Sequence, residues 1–394
     1  MVSESSQAAT TARRRLRLGM VGGGQGAFIG AVHRISARLD DRYELVAGCF
    51  ASTAEKSKAS GLELGIDPAR TYGSFAEMAK AEAERQDGID VVSIVTPNHV
   101  HFDAAAAFIE AGIHVICDKP MTTTLQDAVA LQAMVRRTGK VFVLTHNYTG
   151  YPMIRQARAM VEQGLLGRIR VVQAEYAQDW LATRLEASGQ KQAEWRTDPA
   201  RSGPAGSTGD IGTHAMNLAA FVTRLELDEV AAELSTFVEG RRLDDNCNVL
   251  LRFRGGARGM LWASQVATGN ENALKLRVYG EKGGLEWAQE DPNYLWYTPL
   301  GEPRRLITRS GAGAGPEAAR VSRIPPGHPE GYLEGFATIY SDAAELIWAA
   351  IEGRAPDGGA RLAPSVDDGV AGVKFIEAVV ESSHKGGAWT HAGV

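Results

Sequence analysis

The chain has 394 residues, a formal net charge of -5, and 44% hydrophobic against 23% charged residues. That balance suits a globular chain long enough for two domains, and it leaves no basic stripe for nucleic acid and no acidic arm. No apolar run nears the roughly 18 residues needed to span a bilayer, and Cys49, Cys117 and Cys247 are too scattered for a disulfide framework or a zinc site.

Residues 1–14 read as a loose arm. Arg13 to Arg15 precede an apolar stretch, the order of a twin-arginine export signal. That stretch breaks at Gly22 to Gly24, too soon for a signal core, and no small-residue cleavage site follows. With three thiols and no pairing pattern, the expectation is a cytoplasmic protein.

From residue 15 to 147 strands and helices alternate. Apolar runs at Leu16–Val21, Tyr43–Phe50, Val91–Thr96, Ile113–Cys117 and Val141–Thr145 read as strands. Helical spacing fills Ala27–Leu39, Ala54–Leu64, His101–Ala111 and the stretch from Thr124, which with Asp127 makes a capping box, to Gly139. Continuous apolar strands between amphipathic helices predict a doubly wound parallel sheet, a Rossmann domain. From 148 to 394 the pattern is α+β. Helices are expected at Pro152–Leu166 and Asp210–Leu225, with a polar loop before the second and a long strand at Arg168–Gln178. Strands follow at Glu229–Val238, Asn246–Phe253, Ala257–Val266, Ala273–Tyr279, Leu285–Ala288 and Tyr294–Tyr297. Short Gly-rich turns, Gly255-Gly256 and Gly283-Gly284 among them, predict a large, mostly antiparallel open sheet. A loop at Ser310–Pro329 and helices at Tyr332–Ile351 and Val366–Ser383 complete the chain.

The turn after the first strand, Gly22-Gly23-Gly24-Gln25-Gly26-Ala27-Phe28, sets Gly22, Gly24 and Ala27 in a G-x-G-x-x-A register. Glycines there let backbone approach a diphosphate, and the helix that follows adds amide donors and a positive dipole end. Gln25 and Phe28 belong to the same cofactor turn. The second strand ends Cys49-Phe50-Ala51-Ser52-Thr53, without the acid that would hold the ribose of NAD and without an arginine for the 2′-phosphate of NADP. Ser52, Thr53 and Lys56 are the available groups, and the choice between NAD and NADP stays open.

Three further segments carry the chemistry. Thr96-Pro97-Asn98 with His101 ends one strand; Asp118-Lys119-Pro120 ends the next; Gly209-Asp210-Ile211-Gly212-Thr213-His214 opens a helix in the second domain. Together they resemble the Gfo/Idh/MocA family of sugar and polyol oxidoreductases, a resemblance that runs over nearly the whole chain after residue 15. One departure is Asp118, where the family usually has Glu before Lys-Pro. The resemblance implies a cis bond before Pro120, catalytic positions at Lys119, Asp210 and His214, and a homodimer or homotetramer through the open sheet. Strand ends of a doubly wound sheet face the ligand crevice, which accounts for a charged Asp118-Lys119 pair at the end of an apolar run and places Thr96, Pro97, Asn98, His101, Asp118, Lys119 and Asn147 beside the cofactor.

The residue types fit alcohol oxidation. Histidine titrates near neutrality and can take the hydroxyl proton, an ammonium can stabilise the developing negative oxygen, and a carboxylate can orient the imidazole or bind a neighbouring hydroxyl. A spacing of four puts Asp210 and His214 on one helix face. A helix N-cap aspartate with a packed histidine is one other reading of that spacing and a metal pair is another, but no third ligand stands at a recognisable spacing, the resemblance implies none, and no metal is expected. Aromatic and polar candidates for a carbohydrate-like substrate are His146, Tyr148, Tyr176, Asp179, Trp195, Arg196 and His328. The leading expectation is an NAD(P)-dependent oxidoreductase acting on a secondary alcohol of a sugar, sugar derivative or cyclitol. The alternative is an NAD-dependent glycoside hydrolase of the same family that oxidises, eliminates and re-reduces.

Overall fold

The computed structural model describes residues 13–393. Its first sheet is built from β1 (Leu16–Gly22), α1 (Phe28–Leu39), β2 (Tyr43–Cys49), α2 (Ala54–Glu63), α3 (Phe75–Glu84), β3 (Val91–Val95), α4 (His101–Glu110), β4 (His114–Cys117), α5 (Leu125–Thr138) and β5 (Phe142–Leu144). The five strands run parallel in the order β2-β1-β3-β4-β5. Strand order reverses between β1 and β3, so the turns that follow those strands flank the crevice where such sheets bind ligands. β3 and β4 are buried along their whole length, as expected for central strands covered on both faces.

The second half comprises α6 (Pro152–Glu162), β6 (Ile169–Ala177), α7 (Lys191–Arg196), α8 (Pro199–Ser202), α9 (Thr213–Thr223), β7 (Leu227–Ser235), β8 (Asn246–Phe253), β9 (Arg258–Ser264), β10 (Ala273–Gly280), β11 (Gly283–Ala288), β12 (Tyr294–Pro299), β13 (Arg305–Thr308), α10 (Pro316–Ala319), α11 (Tyr332–Glu352), α12 (Val366–His384) and β14 (Thr390–His391). Its nine strands follow the order β13-β12-β11-β10-β6-β9-β8-β7-β14. Every pairing is antiparallel except β6 with β9, which is parallel. The inner face, with Val172, Ala174, Leu251 and Leu261, packs with Ile154 and Ala157 of α6 and Ala215, Leu218 and Ala219 of α9 in one core. The outer face carries Leu306, Trp296, Met260 and Leu250 in one cross-strand row, all exposed.

The last two long helices return to the first sheet. Phe336, Ile339, Tyr340, Ala343 and Ile347 of α11 cover one face against Leu16, Leu18, Val91 and Val143. Val366, Val370 and Val373 of α12 join the other face with Val92, Val115 and Leu144. A buried knot fixes α11: Tyr340 Oη lies 2.8 Å from both His33 Nδ1 and Ser93 Oγ, and Tyr43 Oη donates to the Tyr340 carbonyl at 2.7 Å.

The architecture is the expected one, with local differences. α3 was not anticipated, nor were the edge strands β13 and β14. Gly283-Gly284 belongs to β11 rather than to a turn; a side chain on Gly283 would meet the Thr298 carbonyl at 2.9 Å, so close strand pairing explains that glycine. Of the arm at 1–14, residues 1–12 lie outside the described residues. Arg13 and Arg14 are docked: they pair with Glu352 and Asp90, and both guanidinium groups sit over Trp348. Arg15 pairs with Asp41. Among the described residues no helix is long and apolar enough to cross a membrane.

Candidate active site

A cleft of about 820 Å³ lies at the reversal point of the first sheet and is closed on its far side by the segment between β6 and α9. Its floor is the Gly-rich turn. Gly22 adopts φ +83°, and a side chain there would meet the Val95 carbonyl at 2.9 Å; one on Gly24 would meet the Phe50 carbonyl at 2.7 Å. The turn is thus wedged between the ends of β2 and β3, as a close-approach dinucleotide turn requires. On its other side, a side chain on Gly26 would find only the Lys191 ammonium within 4 Å, so this face opens into the cleft. Open backbone above a helix N-terminus and a cleft of this volume fit a dinucleotide.

Gly22, Gly24, Gln25, Ala27, Ser52, Lys56, Thr96, Pro97, Asn98, Asp118, Lys119, Trp195, Arg196 and Asp210 all line this cleft. Several do so while tied elsewhere. Gln25 Nε2 donates to Glu63, and Asn98 Nδ2 donates to the Ser202 carbonyl at 2.9 Å, joining the two halves. Two cofactor candidates, Thr53 and Phe28, are not among the residues that line the cleft. Thr53 caps α2, its hydroxyl accepting from Lys56 N–H, and Phe28 opens α1 with its side chain 67% exposed. His101 is fully buried, with Nε2 2.9 Å from the Thr96 carbonyl and Nδ1 2.8 Å from the Pro120 carbonyl, so its ring braces the two strand-end turns.

The Lys119–Pro120 bond is cis. Asp118 does not pair with the Lys119 ammonium. Its Oδ1 accepts from Thr145 Oγ1 at 2.8 Å and from Lys119 N–H at 3.0 Å, which folds the turn. The Lys119 ammonium instead crosses to the second half and donates to the Asp210 carbonyl and to its Oδ1 at 3.1 Å. Arg196 Nε donates to both Asp210 oxygens at 3.2–3.3 Å, and Gln265 Nε2 to Oδ2 at 2.8 Å. Burial would raise the Asp210 pKa, but Lys119 and Arg196 outweigh it and hold the carboxyl well below the usual carboxylate range.

Of the two roles open to Asp210, orienting the imidazole or binding a substrate hydroxyl, the first has no hydrogen bond to His214 behind it among the described residues. A π-helical turn at Thr208–Gly212 precedes α9, and Asp210 orients the cations rather than the imidazole. His214 is buried, and its Nδ1 has no hydrogen-bond partner among the described residues. Its ring meets Tyr148 at 4.9 Å and His146 at 5.3 Å between centroids, edge to face. Burial, then the Lys119 charge, then His146 push its pKa well below the ordinary histidine value; His146 is pushed down to about 3 by burial and Lys119. Tyr148 and Tyr176 join hydroxyl to hydroxyl at 2.5 Å behind this ring, and Tyr176 donates to Asn272 at 2.7 Å. Asn147 is buried beside them; its Nδ2 and Thr96 Oγ1 have no hydrogen-bond partner among the described residues. Two substrate candidates lie away from this cluster: Asp179 accepts from Gly269 N–H in a surface turn, and His328 is exposed in the loop after α10.

Sequence reading missed the residues that hold the π-turn. The buried Asp244 carboxylate accepts from Gly206 N–H, Ser207 Oγ, Thr208 N–H and Thr208 Oγ1 at 2.6–2.9 Å. Its signal was a pair of acids directly before an apolar strand. Lys191 and Gln192, on the unanticipated helix α7, also line the cleft.

Comparison with known proteins agrees with this layout. Residues 16–146 match the oxidoreductase family with an NAD-binding Rossmann fold, and residues 154–286 match the GFO/IDH/MocA C-terminal domain. The uncharacterized oxidoreductase YfiI of Bacillus subtilis (strain 168) is 36% identical over 377 residues, 95% of this chain and 96% of the relative. The crystal structure of an oxidoreductase from Sinorhizobium meliloti is 59% identical, with a TM-score of 0.88 and coverage of 96% of this chain and 99% of that one. An inositol dehydrogenase homolog from Azotobacter vinelandii, complexed with NADH and myo-inositol, is 36% identical, with a TM-score of 0.88 and coverage of 96% and 98%. Matches over both halves of the chain and a relative that is 36% identical over nearly its whole length thus agree with a dinucleotide turn facing a second domain: the chain belongs to the Gfo/Idh/MocA family of oxidoreductases, with an NAD-binding Rossmann domain followed by that family's C-terminal domain.

Proposed function

We propose that the protein transfers a hydride between a nicotinamide dinucleotide and a secondary alcohol of a cyclitol, sugar or sugar derivative. The observation that carries this reading is the Lys119 ammonium, held by Asp210 in the same cleft as the Gly-rich turn, with the His214 imidazole on the following helix. The bound nicotinamide supplies the hydride acceptor. Gly22 to Ala27 and the first amides of α1 would hold the diphosphate, and Ser52 and Lys56, which also line the cleft, would be available to the adenosine end. Lys119 donates a hydrogen bond to the reacting oxygen and stabilises it as it becomes negative. His214, neutral because burial and Lys119 oppose its charge, accepts the hydroxyl proton. An oxygen turning anionic between the two groups offsets the Lys119 field at the moment the proton moves, which raises the basicity of the imidazole when it is needed. Asp210, with Arg196 and Gln265, keeps Lys119 in place.

The cyclitol-bound relative supports the substrate class, and NAD(H) is the cofactor of the same reading. No carboxylate follows β2 to exclude a 2′-phosphate, so NADP is tested beside it. The exposed apolar row on the outer sheet supports a homodimer or homotetramer, and the three buried free thiols support a cytoplasmic setting. The test is reduced-nicotinamide absorbance with NAD and NADP across a panel of cyclitols and monosaccharides. Stoichiometric reduction with at least one polyol is expected. Release of an aglycone from glycosides without net reduction, or no turnover of any polyol, overturns the proposal.

A further inference from the structure

We infer that Lys191, from the second half of the chain, is a ligand of the cofactor's diphosphate. This rests on the dinucleotide reading of the cleft. Lys191 opens α7 and is exposed, and its ammonium lies 3.7 Å from the point a side chain on Gly26 would occupy. Among the glycines of this turn, Gly26 has open space beside it among the described residues, whereas Gly22, Gly23 and Gly24 are hemmed in by Val95, Gly30 and Phe50. Of the neighbouring cations, Arg196 is tied to Asp210 at 3.2 Å, Arg201 to Glu194 at 3.4 Å and Arg34 to the Gly23 carbonyl at 2.6 Å, while Lys56 lines the cleft beyond the end of β2. Lys191 forms no ion pair among the described residues, and its charge faces a turn whose amides and helix dipole already favour an anion.

The consequence reaches the reacting end. α7 is six residues long, with Lys191 at its start and Arg196 at its end. Gln190 caps it by accepting from Ala193 N–H at 2.7 Å. A diphosphate bound to Lys191 therefore fixes the same short helix that delivers Arg196 to Asp210, and cofactor binding steadies the Lys119–Asp210 contact before substrate arrives.

The test is calorimetric titration of the full-length protein with ADP-ribose and fluorescence titration with NADH, for wild type, Lys191→Met and Lys191→Arg. Lys191 is exposed, so both variants should melt with the wild type. Lys191→Met should weaken ADP-ribose and NADH fivefold or more and flatten the salt dependence of binding, and Lys191→Arg should recover most of the affinity. A Lys191→Met protein that binds ADP-ribose within fivefold of wild type overturns the inference while leaving the cofactor reading intact. A wild-type protein that binds neither NADH nor ADP-ribose overturns the cofactor reading itself.

Discussion

Asp210 receives hydrogen bonds from Lys119, Arg196 and Gln265, so a single carboxylate sets the position of two cations. Lys119 is the group whose loss separates binding from chemistry. Lys119→Met should lower turnover by about 10²–10⁴-fold, the range for losing a preorganised donor or acid/base group, while the dissociation constant for NADH stays within a few-fold. Normal turnover in that variant would remove Lys119 from the mechanism. The same substitution carries a second sign. The Lys119 charge pushes the His214 pKa down, so its removal should move the imidazole titration upward, read from histidine ring resonances by NMR. At this scale the motif residues were legible, because Asp118-Lys119-Pro120 and Asp210 to His214 stand out at strand and helix ends. Their partners were not. Nothing local in the sequence says that Asp210 turns to Lys119 and Arg196 instead of His214, since that depends on a π-turn and on loops brought together by folding.

The π-turn owes its shape to Asp244, almost forty residues downstream, which ties the backbone at Gly206 and Thr208. Asp244→Ala leaves four donors without their acceptor, two of them backbone amides. It should cost about 2–4 kcal/mol, the scale for breaking a buried charged network, measured by urea unfolding. Turnover should fall further than folding explains, because Asp210 shifts with the turn. Whole elements were easier to read than such contacts. Apolar runs bounded by turn residues located the five strands of the first sheet. α3 went unread although Ser74 caps it and Glu77 stands three residues on, the signature of a helix start. β13 and β14 are short edge strands of four and two residues, too brief for periodicity to mark. Buried histidines give these elements a pH response. His33 and His114 are pushed down to about 4 and His146 to about 3, all chiefly by burial. Each folded-state pKa lies below its unfolded value near 6.5, so the unfolded chain binds more protons as pH falls. Stability should be steady above about pH 6.5 and fall progressively toward pH 4, by about 3 kcal/mol per fully buried ring. Thermal melts between pH 7.5 and 4.5 check this, and an unchanged melting temperature contradicts it.

The outer face of the nine-stranded sheet sets the predicted assembly. Leu306, Trp296, Met260 and Leu250 form an exposed row across it, interleaved with polar residues. Met260→Asp with Leu250→Asp should reduce the mass seen by light scattering to that of a smaller assembly, with the far-ultraviolet spectrum unchanged; a wild-type monomer would refute the proposed oligomer. The two-sheet division was legible from the change in strand pattern after residue 148. The return of α11 and α12 to the first sheet was not, because an apolar helix face does not name the surface that it covers. That return has a consequence for biosynthesis. During translation the five-stranded sheet emerges with the patches that α11 and α12 cover still open, and those helices leave the ribosome only after the second sheet. The nucleotide-binding half is thus completed only once the second sheet has been made, and until then its uncovered apolar patches are open to chaperones and to aggregation.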